Sequence, residues 1–144
     1  MIKTLIKNQY PPNYDQMTEA FGDLKKYSPV FAYAPHIYNP FGRNLTEDVI
    51  HHETVHIFRQ GDLPEIWYYK YVNDPAFRLE EEVIAYGSQL LFAKQKGIRG
   101  ALLDWIKEKL AMELSGEAYG SLCTYGEAEA KIRNFIKYGK QTNE

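Results

Sequence analysis

The spacing of apolar residues along the chain predicts a protein built mainly from helices. Apolar positions recur at intervals of three and four residues, as they do on the buried face of an amphipathic helix. Glycines and prolines separate most of the segments that carry this pattern. We predict six helices, over residues 14–27, 47–60, 65–72, 76–96, 101–114 and 125–138.

Two shorter segments predict strands. Residues 4–6 and 30–38 are rich in aromatic and β-branched side chains, which favour extended structure. A turn over residues 39–42 follows the second segment. The predicted fold class is therefore α+β, a mostly helical single domain over residues 1–139 with a small β-sheet. The polar residues 140–144 are expected to form a frayed tail.

The composition fits a globular protein with no nucleic-acid or membrane partner. The 144 residues are 44% hydrophobic and 15% aromatic, which favours a packed core over disorder. A net charge of -2 predicts no basic surface for nucleic acid. Lys3 and Lys7 interrupt the apolar N-terminus, and no run approaches the roughly 20 apolar residues of a membrane span. We therefore expect a cytoplasmic protein.

The strongest chemical signal lies in the second predicted helix. Residues 52–56 read His-Glu-Thr-Val-His, which is the pattern H-E-x-x-H. Side chains four residues apart project from one helix face, so the imidazoles of His52 and His56 can bind one ion. Zinc lowers the pKa of a bound water toward about 7, and Glu53 can accept the proton of that water. We predict one zinc ion, with Glu53 as the catalytic base.

A catalytic zinc site has three protein ligands and one open position, so a third ligand is needed. Residues 80–82 are three consecutive glutamates on the fourth predicted helix, and they span about 200° of its circumference. Only one or two of them can face the core. The helix faces favour Glu82 slightly over Glu81. Cys123, which is the single cysteine of the chain, and His36 are the next candidates.

The pattern resembles the gluzincin group of zinc peptidases. In that group a second helix follows H-E-x-x-H and carries E-x-x-A before a polar residue, often Asp. Residues 82–86 read Glu-Val-Ile-Ala-Tyr and depart from this form at Tyr86. The resemblance implies a minimal zincin-like α+β domain with Glu82 as the third zinc ligand. Ile37-Tyr38-Asn39-Pro40 precede the H-E-x-x-H motif, Arg59-Gln60 follow it, and Phe77-Arg78-Leu79 precede the glutamates. Through these features, residues 30–90 also resemble small metallopeptidase-like proteins often encoded by bacteriophages and prophages.

Two further features are candidates for the substrate site. Tyr119 lies in the segment 116–126, which contains three glycines. A Tyr or His often stabilises the oxyanion in zinc peptidases. Alternatively, Tyr119 packs over the core. The predicted strand at 30–38 directly precedes the zinc helix, and an edge strand there can pair with an extended peptide.

These expectations combine into a zinc-dependent peptidase that acts on a peptide or protein substrate. One alternative is a non-catalytic zinc-binding structural or assembly protein, such as a phage component. Another is a metal-dependent hydrolase of a non-peptide amide. An open coordination position favours an enzyme, whereas a fourth protein ligand favours a structural site. A deep closed pocket, in place of a groove beside an edge strand, favours the non-peptide amide.

Overall fold

The computed structural model describes residues 3–142 of the chain. Its strands are β1 (Ile6–Lys7), β2 (Phe31–Tyr33) and β3 (His36–Tyr38). Its helices are α1 (Tyr14–Phe21), α2 (Glu47–Gln60), α3 (Pro64–Asn73), α4 (Pro75–Gln95), α5 (Ala101–Leu114) and α6 (Tyr125–Thr142). Short 3-10 turns cover Leu24–Tyr27 and Glu117–Tyr119. The predicted α+β class, with helices dominating a small sheet, is confirmed. No helix within residues 3–142 combines the length and apolar character needed to cross a membrane.

Helix α2 has the predicted bounds. Thr46 precedes it with extended backbone angles, φ -81 and ψ 162, as an N-cap residue does. The Thr46 hydroxyl donates to the Asp48 carboxylate instead of capping the backbone. Glu47 and Asp48 place negative charge at the positive end of the helix dipole. Gly61, with φ +59, ends the helix at a positive φ that glycine tolerates.

The first predicted helix, over residues 14–27, is wrong in its second half. Helix α1 ends at Phe21 because Gly22 has φ +81, a backbone conformation that residues with a side chain rarely adopt. Leu24–Tyr27 forms a separate 3-10 turn, in which Asp23 accepts a hydrogen bond from the backbone of Lys25. The apolar spacing continued across Gly22, but the helix did not.

The single strand predicted over residues 30–38 is a hairpin. Strands β2 and β3 pair antiparallel, with Ala32 opposite Ile37, and the chain reverses at Ala34 and Pro35. Proline has a fixed φ and no N–H, so Pro35 cannot continue a strand ladder. Strand β1 pairs in parallel with β3, which gives the order β1-β3-β2. Strand β2 therefore lies at an edge of the sheet.

The last helix begins as predicted and ends later. Thr124 and Glu127 form a capping box, because the Thr124 hydroxyl accepts from the Glu127 amide and the Glu127 carboxylate accepts from the Thr124 amide. Helix α6 continues to Thr142, with a departure from helical angles at Tyr138. The frayed tail predicted for 140–144 therefore overlaps the helix, and its last two residues lie outside the described residues. The domain boundary at residue 139 stays a prediction.

The apolar core consists of two clusters. The first joins α4, α5 and α6 through Tyr86, Leu90, Leu103, Leu110, Ala111, Leu114, Ala128 and Ile132. The second joins the sheet, α1, α3 and the turn that follows α1 through Met17, Leu24, Phe31, Tyr38, Trp67, Tyr68 and Tyr71. Helix α2 meets both clusters through histidines: the ring of His52 lies 4.4 Å from that of Tyr86, and the ring of His56 lies 5.4 Å from that of Trp67.

Candidate metal centre

Helix α2 turns a polar face toward the interior. Its buried side chains, all within the described residues, are those of His52, Glu53, His56 and Gln60. The apolar residues of the same helix are only half-buried or exposed, and Phe58 is 85% exposed. Burying polar groups costs free energy unless each has a partner. This face must therefore meet compensating groups on a neighbouring element.

The Glu82 carboxylate on α4 is the main group that faces the buried histidines of α2. Its Oε1 lies 3.3 Å from Nε2 of His52, and its Oε2 lies 3.3 Å from Nε2 of His56. One donor atom from each of the three residues falls within 4.8 Å of the others. The structure thus brings together the two histidines and the glutamate that the sequence analysis named as zinc ligands.

The Glu82 carboxyl is ionised and incompletely satisfied. Burial alone would raise its pKa, but the two histidines that it contacts outweigh burial and hold the pKa below its ordinary value. The Tyr71 hydroxyl donates to Oε2 at 2.7 Å. Within the described residues, Oε1 of Glu82 and Nδ1 of His56 are buried without a hydrogen bond. A buried carboxylate oxygen without a hydrogen-bond donor needs another positive partner.

A divalent metal fits this arrangement. Two imidazole nitrogens and one carboxylate oxygen converge from two helices, and this is a ligand set that zinc accepts in catalytic sites. The negative charge of Glu82 lies where a cation would offset the cost of burying it. His52, His56 and Glu82 are the residues that would hold the ion.

Glu53 lies beside this set without belonging to it. Its Oε2 is 3.9 Å from Nε2 of His52. Burial raises the pKa of the Glu53 carboxyl to about 7; the charge of Glu82 acts in the same direction, while His52 and Arg43 oppose it. A carboxyl group with a pKa near neutrality can both accept and release a proton under ordinary conditions.

Glu81 faces a different set of partners. Both of its oxygens accept from the Arg59 guanidinium at 2.8 Å, and Oε1 also accepts from the Trp67 indole at 2.8 Å. Glu80 is exposed. Helix α4 therefore directs three consecutive glutamates to three environments: solvent for Glu80, an arginine and an indole for Glu81, and the two histidines for Glu82.

Tyr119 lines the cleft over the candidate metal centre and also packs on the core. Its hydroxyl lies 2.6 Å from the Tyr86 hydroxyl, and its side chain contacts the first hydrophobic cluster. Burial raises the pKa of both phenols well above the ordinary value, so both remain neutral hydrogen-bond donors. The two roles considered for Tyr119, packing over the core and donating to a substrate oxygen, are compatible with this position.

The other two candidate ligands lie elsewhere. The Nδ1 of His36 accepts a hydrogen bond from the backbone amide of Leu5. This bond links β3 to the segment just before β1. Cys123 is half-buried against the first hydrophobic cluster, and burial raises the pKa of its thiol. Within residues 3–142, the cluster of possible metal ligands contains neither of them.

Two site residues were missed from the sequence. Gln89 Oε1 lies 2.9 Å from Nδ1 of His52, and Gln89 Nε2 donates to the Asp48 carboxylate at 2.7 Å. Helical spacing could have indicated both residues. Gln89 lies seven residues after Glu82, and Asp48 lies four before His52, so each shares a helix face with a proposed ligand.

The candidate centre opens into a cleft of about 740 Å³. Its walls include residues of α1, β2, α3 and α5, the segment before α2 and the 3-10 turn that carries Tyr119. His52, Glu53, His56 and Glu82 all line this cleft. A small molecule or a segment of chain in the cleft would therefore reach the residues that would hold the ion and the carboxyl beside them.

Strand β2 forms part of the cleft wall, but its outer edge is partly occupied. The Ala32 carbonyl accepts from the Gln60 amide at 2.8 Å and from the Tyr68 hydroxyl. The Ala34 amide donates to Gln60 Oε1 at 2.7 Å. These bonds use backbone groups that an added peptide strand would need. Any pairing of a substrate with β2 is therefore confined to the N-terminal side of Ala32.

Comparisons of the chain with protein-family models, with curated proteins and with solved structures find no match. The resemblance to gluzincins therefore stays a prediction.

Proposed function

We propose that the protein is a zinc-dependent hydrolase that cleaves peptide bonds. The observation that carries this proposal is the buried polar face of α2, where His52 and His56 meet Glu82 and where Glu53 lies 3.9 Å from His52. Burying His52, His56 and the Glu82 carboxylate together has a cost that a bound metal would offset. The position of Glu53 beside the ligands, facing the cleft, favours a catalytic centre.

The chain's own residues supply the acid–base chemistry. Zinc bound by His52, His56 and Glu82 would polarise the scissile carbonyl and activate the attacking water. Glu53 accepts a proton from that water as its oxygen bonds to the carbonyl carbon. Glu53 then delivers the proton to the nitrogen as the carbon–nitrogen bond breaks, which releases a neutral amine. Tyr119, which lines the cleft, is our candidate hydrogen-bond donor to the developing oxyanion.

A purely structural zinc site is less well supported. Structural sites are closed by four protein ligands, whereas catalytic sites use three and leave a position open. Within the described residues, three potential ligands converge and no fourth His, Cys, Asp or Glu joins them. The cleft also reaches the centre. We therefore favour turnover over a role confined to assembly.

A second candidate function is hydrolysis of a non-peptide amide. The observation in its favour is the occupation of the β2 edge by Gln60 and Tyr68. An extended peptide cannot form a full strand ladder there. A compact substrate would need no such ladder and would occupy the cleft alone.

Metal analysis combined with substrate profiling tests the proposal. We expect about one zinc per chain in the wild type and none retained in a His52→Ala, His56→Ala double variant. Zinc-loaded wild type should cleave members of a peptide mixture monitored by mass spectrometry, and Glu53→Gln should retain zinc without cleavage. Stoichiometric zinc in the double variant would overturn the site. Cleavage of simple acyl amides but of no peptide would favour the second candidate.

A further inference from the structure

We infer that Asp48 and Gln89 form a hydrogen-bonded relay that orients His52 for metal binding. The inference rests on the proposed zinc site and assigns a positioning role to two residues outside the ligand set. The relay runs from the first turn of α2 to the middle of α4 and back to α2. It decides which ring nitrogen of His52 faces Glu82.

The relay is continuous in geometry. The Asp48 carboxylate accepts from Gln89 Nε2 at 2.7 Å, and Gln89 Oε1 accepts from Nδ1 of His52 at 2.9 Å. Gln89 is 4% exposed and His52 is 5% exposed, so solvent gives neither a ready alternative partner. The Thr46 hydroxyl donates to the second oxygen of Asp48, which fixes the carboxylate at the start of α2.

Asp48 sets the direction of the hydrogen bonds in the relay. The two ends of a glutamine amide have almost the same shape, so packing alone allows either orientation. An ionised carboxylate only accepts hydrogen bonds, and Asp48 therefore selects the NH2 end of Gln89. The carbonyl end must then face His52. A carbonyl oxygen only accepts, so Nδ1 of His52 carries a hydrogen, and Nε2 is the ring nitrogen that would bind a metal.

The second histidine of the motif lacks such a relay. Within the described residues, Nδ1 of His56 has no hydrogen-bond partner, and its ring is held by packing against Trp67. His52 is therefore the ligand whose ring orientation is set by a side-chain relay. In the gluzincin-like pattern, Tyr86 stands where a carboxylate is frequent, and its phenol bonds with Tyr119 instead. Gln89, three residues further along α4, contacts the histidine.

Zinc affinity in three variants tests the relay. Gln89→Leu removes the acceptor for His52 and should weaken zinc binding about 10- to 100-fold in a chelator competition assay. Gln89→Glu alone faces Asp48 with a like charge and should also weaken binding. Adding Asp48→Asn to Gln89→Glu restores a donor for the new carboxylate. This double variant should bind zinc at least as tightly as the wild type.

A spectroscopic readout separates positioning from plain packing. In zinc-loaded wild type, nitrogen-15 NMR should show a slowly exchanging proton on Nδ1 of His52. That signal should be lost or exchange fast in Gln89→Leu and return in the Asp48→Asn, Gln89→Glu double variant. The matched control is Gln60→Leu, which removes another buried glutamine that bonds to the β2 backbone. It should lower the unfolding temperature and leave the zinc dissociation constant unchanged.

The outcomes separate this inference from the proposed function. A wild type that binds no zinc overturns both. A wild type that binds zinc, together with a folded Gln89→Leu variant of equal affinity, overturns the relay alone. If Gln89→Leu does not fold, the two glutamate variants decide: a double variant that binds no more tightly than Gln89→Glu alone also overturns the relay.

Discussion

At the scale of single residues, burial of Glu53 links stability to chemistry. Its carboxyl has a pKa of about 7, raised from the ordinary 4.5 chiefly by desolvation. A raised folded-state pKa means that the group contributes its stability below the unfolded pKa and loses it as pH rises. For Glu53 this loss develops between about pH 4.5 and 7. The protein keeps at the candidate centre a carboxyl group that destabilises the metal-free fold above pH 7.

The first prediction concerns the loss of stability that comes from ionising the buried Glu53 carboxyl. In zinc-free protein, Glu53→Gln should raise the free energy of unfolding at pH 8 by up to about 3 kcal/mol, because the amide cannot ionise in its buried position. The difference from wild type should vanish near pH 4.5, and urea unfolding at several pH values measures it. A wild-type protein that is more stable than Glu53→Gln at pH 8 would contradict the raised pKa of the Glu53 carboxyl.

The second prediction compares the three consecutive glutamates. Glu82→Ala should weaken zinc binding sharply, because it removes the carboxylate that lies 3.3 Å from both histidines. Glu80→Ala is the control and should do little, since Glu80 is exposed. Glu81→Ala should cost about 2 kcal/mol of folding stability, since it strips hydrogen-bond partners from Arg59 and Trp67. Its zinc dissociation constant should stay near that of wild type.

One metal-competition assay on the three variants checks this prediction, with urea unfolding alongside. A loss of zinc affinity confined to Glu81→Ala would mean that α4 is rotated relative to α2. Equal affinity in all three variants would remove the glutamate from the ligand set.

At the scale of elements, the position of α4 decides whether Glu82 reaches α2. Helix α6 helps to fix the position of α4, because Phe135 of α6 packs directly against Gly87 of α4. A Cβ built on Gly87 would lie 2.1 Å from Cδ1 of Phe135, far inside contact distance. Only glycine allows the two helices to approach this closely. Gly87 lies between Glu82 and Gln89, so the contact bears on both.

The third prediction follows from this approach. Gly87→Ala should destabilise the protein by about 1–3 kcal/mol, because the added methyl group must displace the ring of Phe135. Gly126→Ala is the matched control: it lies in α6 with nothing within 4 Å of its built Cβ, and it should be neutral or slightly stabilising. Thermal unfolding measures both. A Gly87→Ala variant as stable as the wild type would mean that α6 lies further from α4.

At the scale of the whole molecule, the candidate centre lies between two hydrophobic clusters. His52 contacts Tyr86 of the first cluster, and His56 contacts Trp67 of the second. A metal bound by both histidines and Glu82 would connect α2 to α4 and thereby couple the two halves of the core. Metal binding is then a contribution to global stability, because the unfolded chain lacks the site.

The fourth prediction is that zinc raises the unfolding temperature by mass action. At free zinc one hundred times the dissociation constant, the expected stabilisation is about 2.7 kcal/mol. The His52→Ala, His56→Ala variant should show no shift, and Glu82→Ala should show a smaller shift at the same zinc concentration. Calorimetry over a zinc titration measures this. Equal shifts in the wild type and the double variant would place the metal elsewhere.

The sequence by itself determined the elements with strong local signals. Helix α5 has the predicted bounds, 101–114, and α2 begins after Thr46 and stops at Gly61 as expected. Asp74 caps α4 by accepting from the amides of Ala76 and Phe77. These features depend on backbone groups within a few residues, so local sequence suffices. The same is true of the spacing that places His52 and His56 on one helix face.

Only the tertiary structure decided which residues meet that face. Helical periodicity assigns side chains to faces, but it does not say which neighbouring element each face contacts. Both Glu81 and Glu82 therefore remained candidates for the third ligand from sequence. Their environments depend on how α4 packs against α2 and α3, which are long-range contacts. The pairing of Gln89 with Asp48 and His52 likewise joins residues about forty positions apart. Packing of the whole chain, and not local preference, assembles the candidate centre.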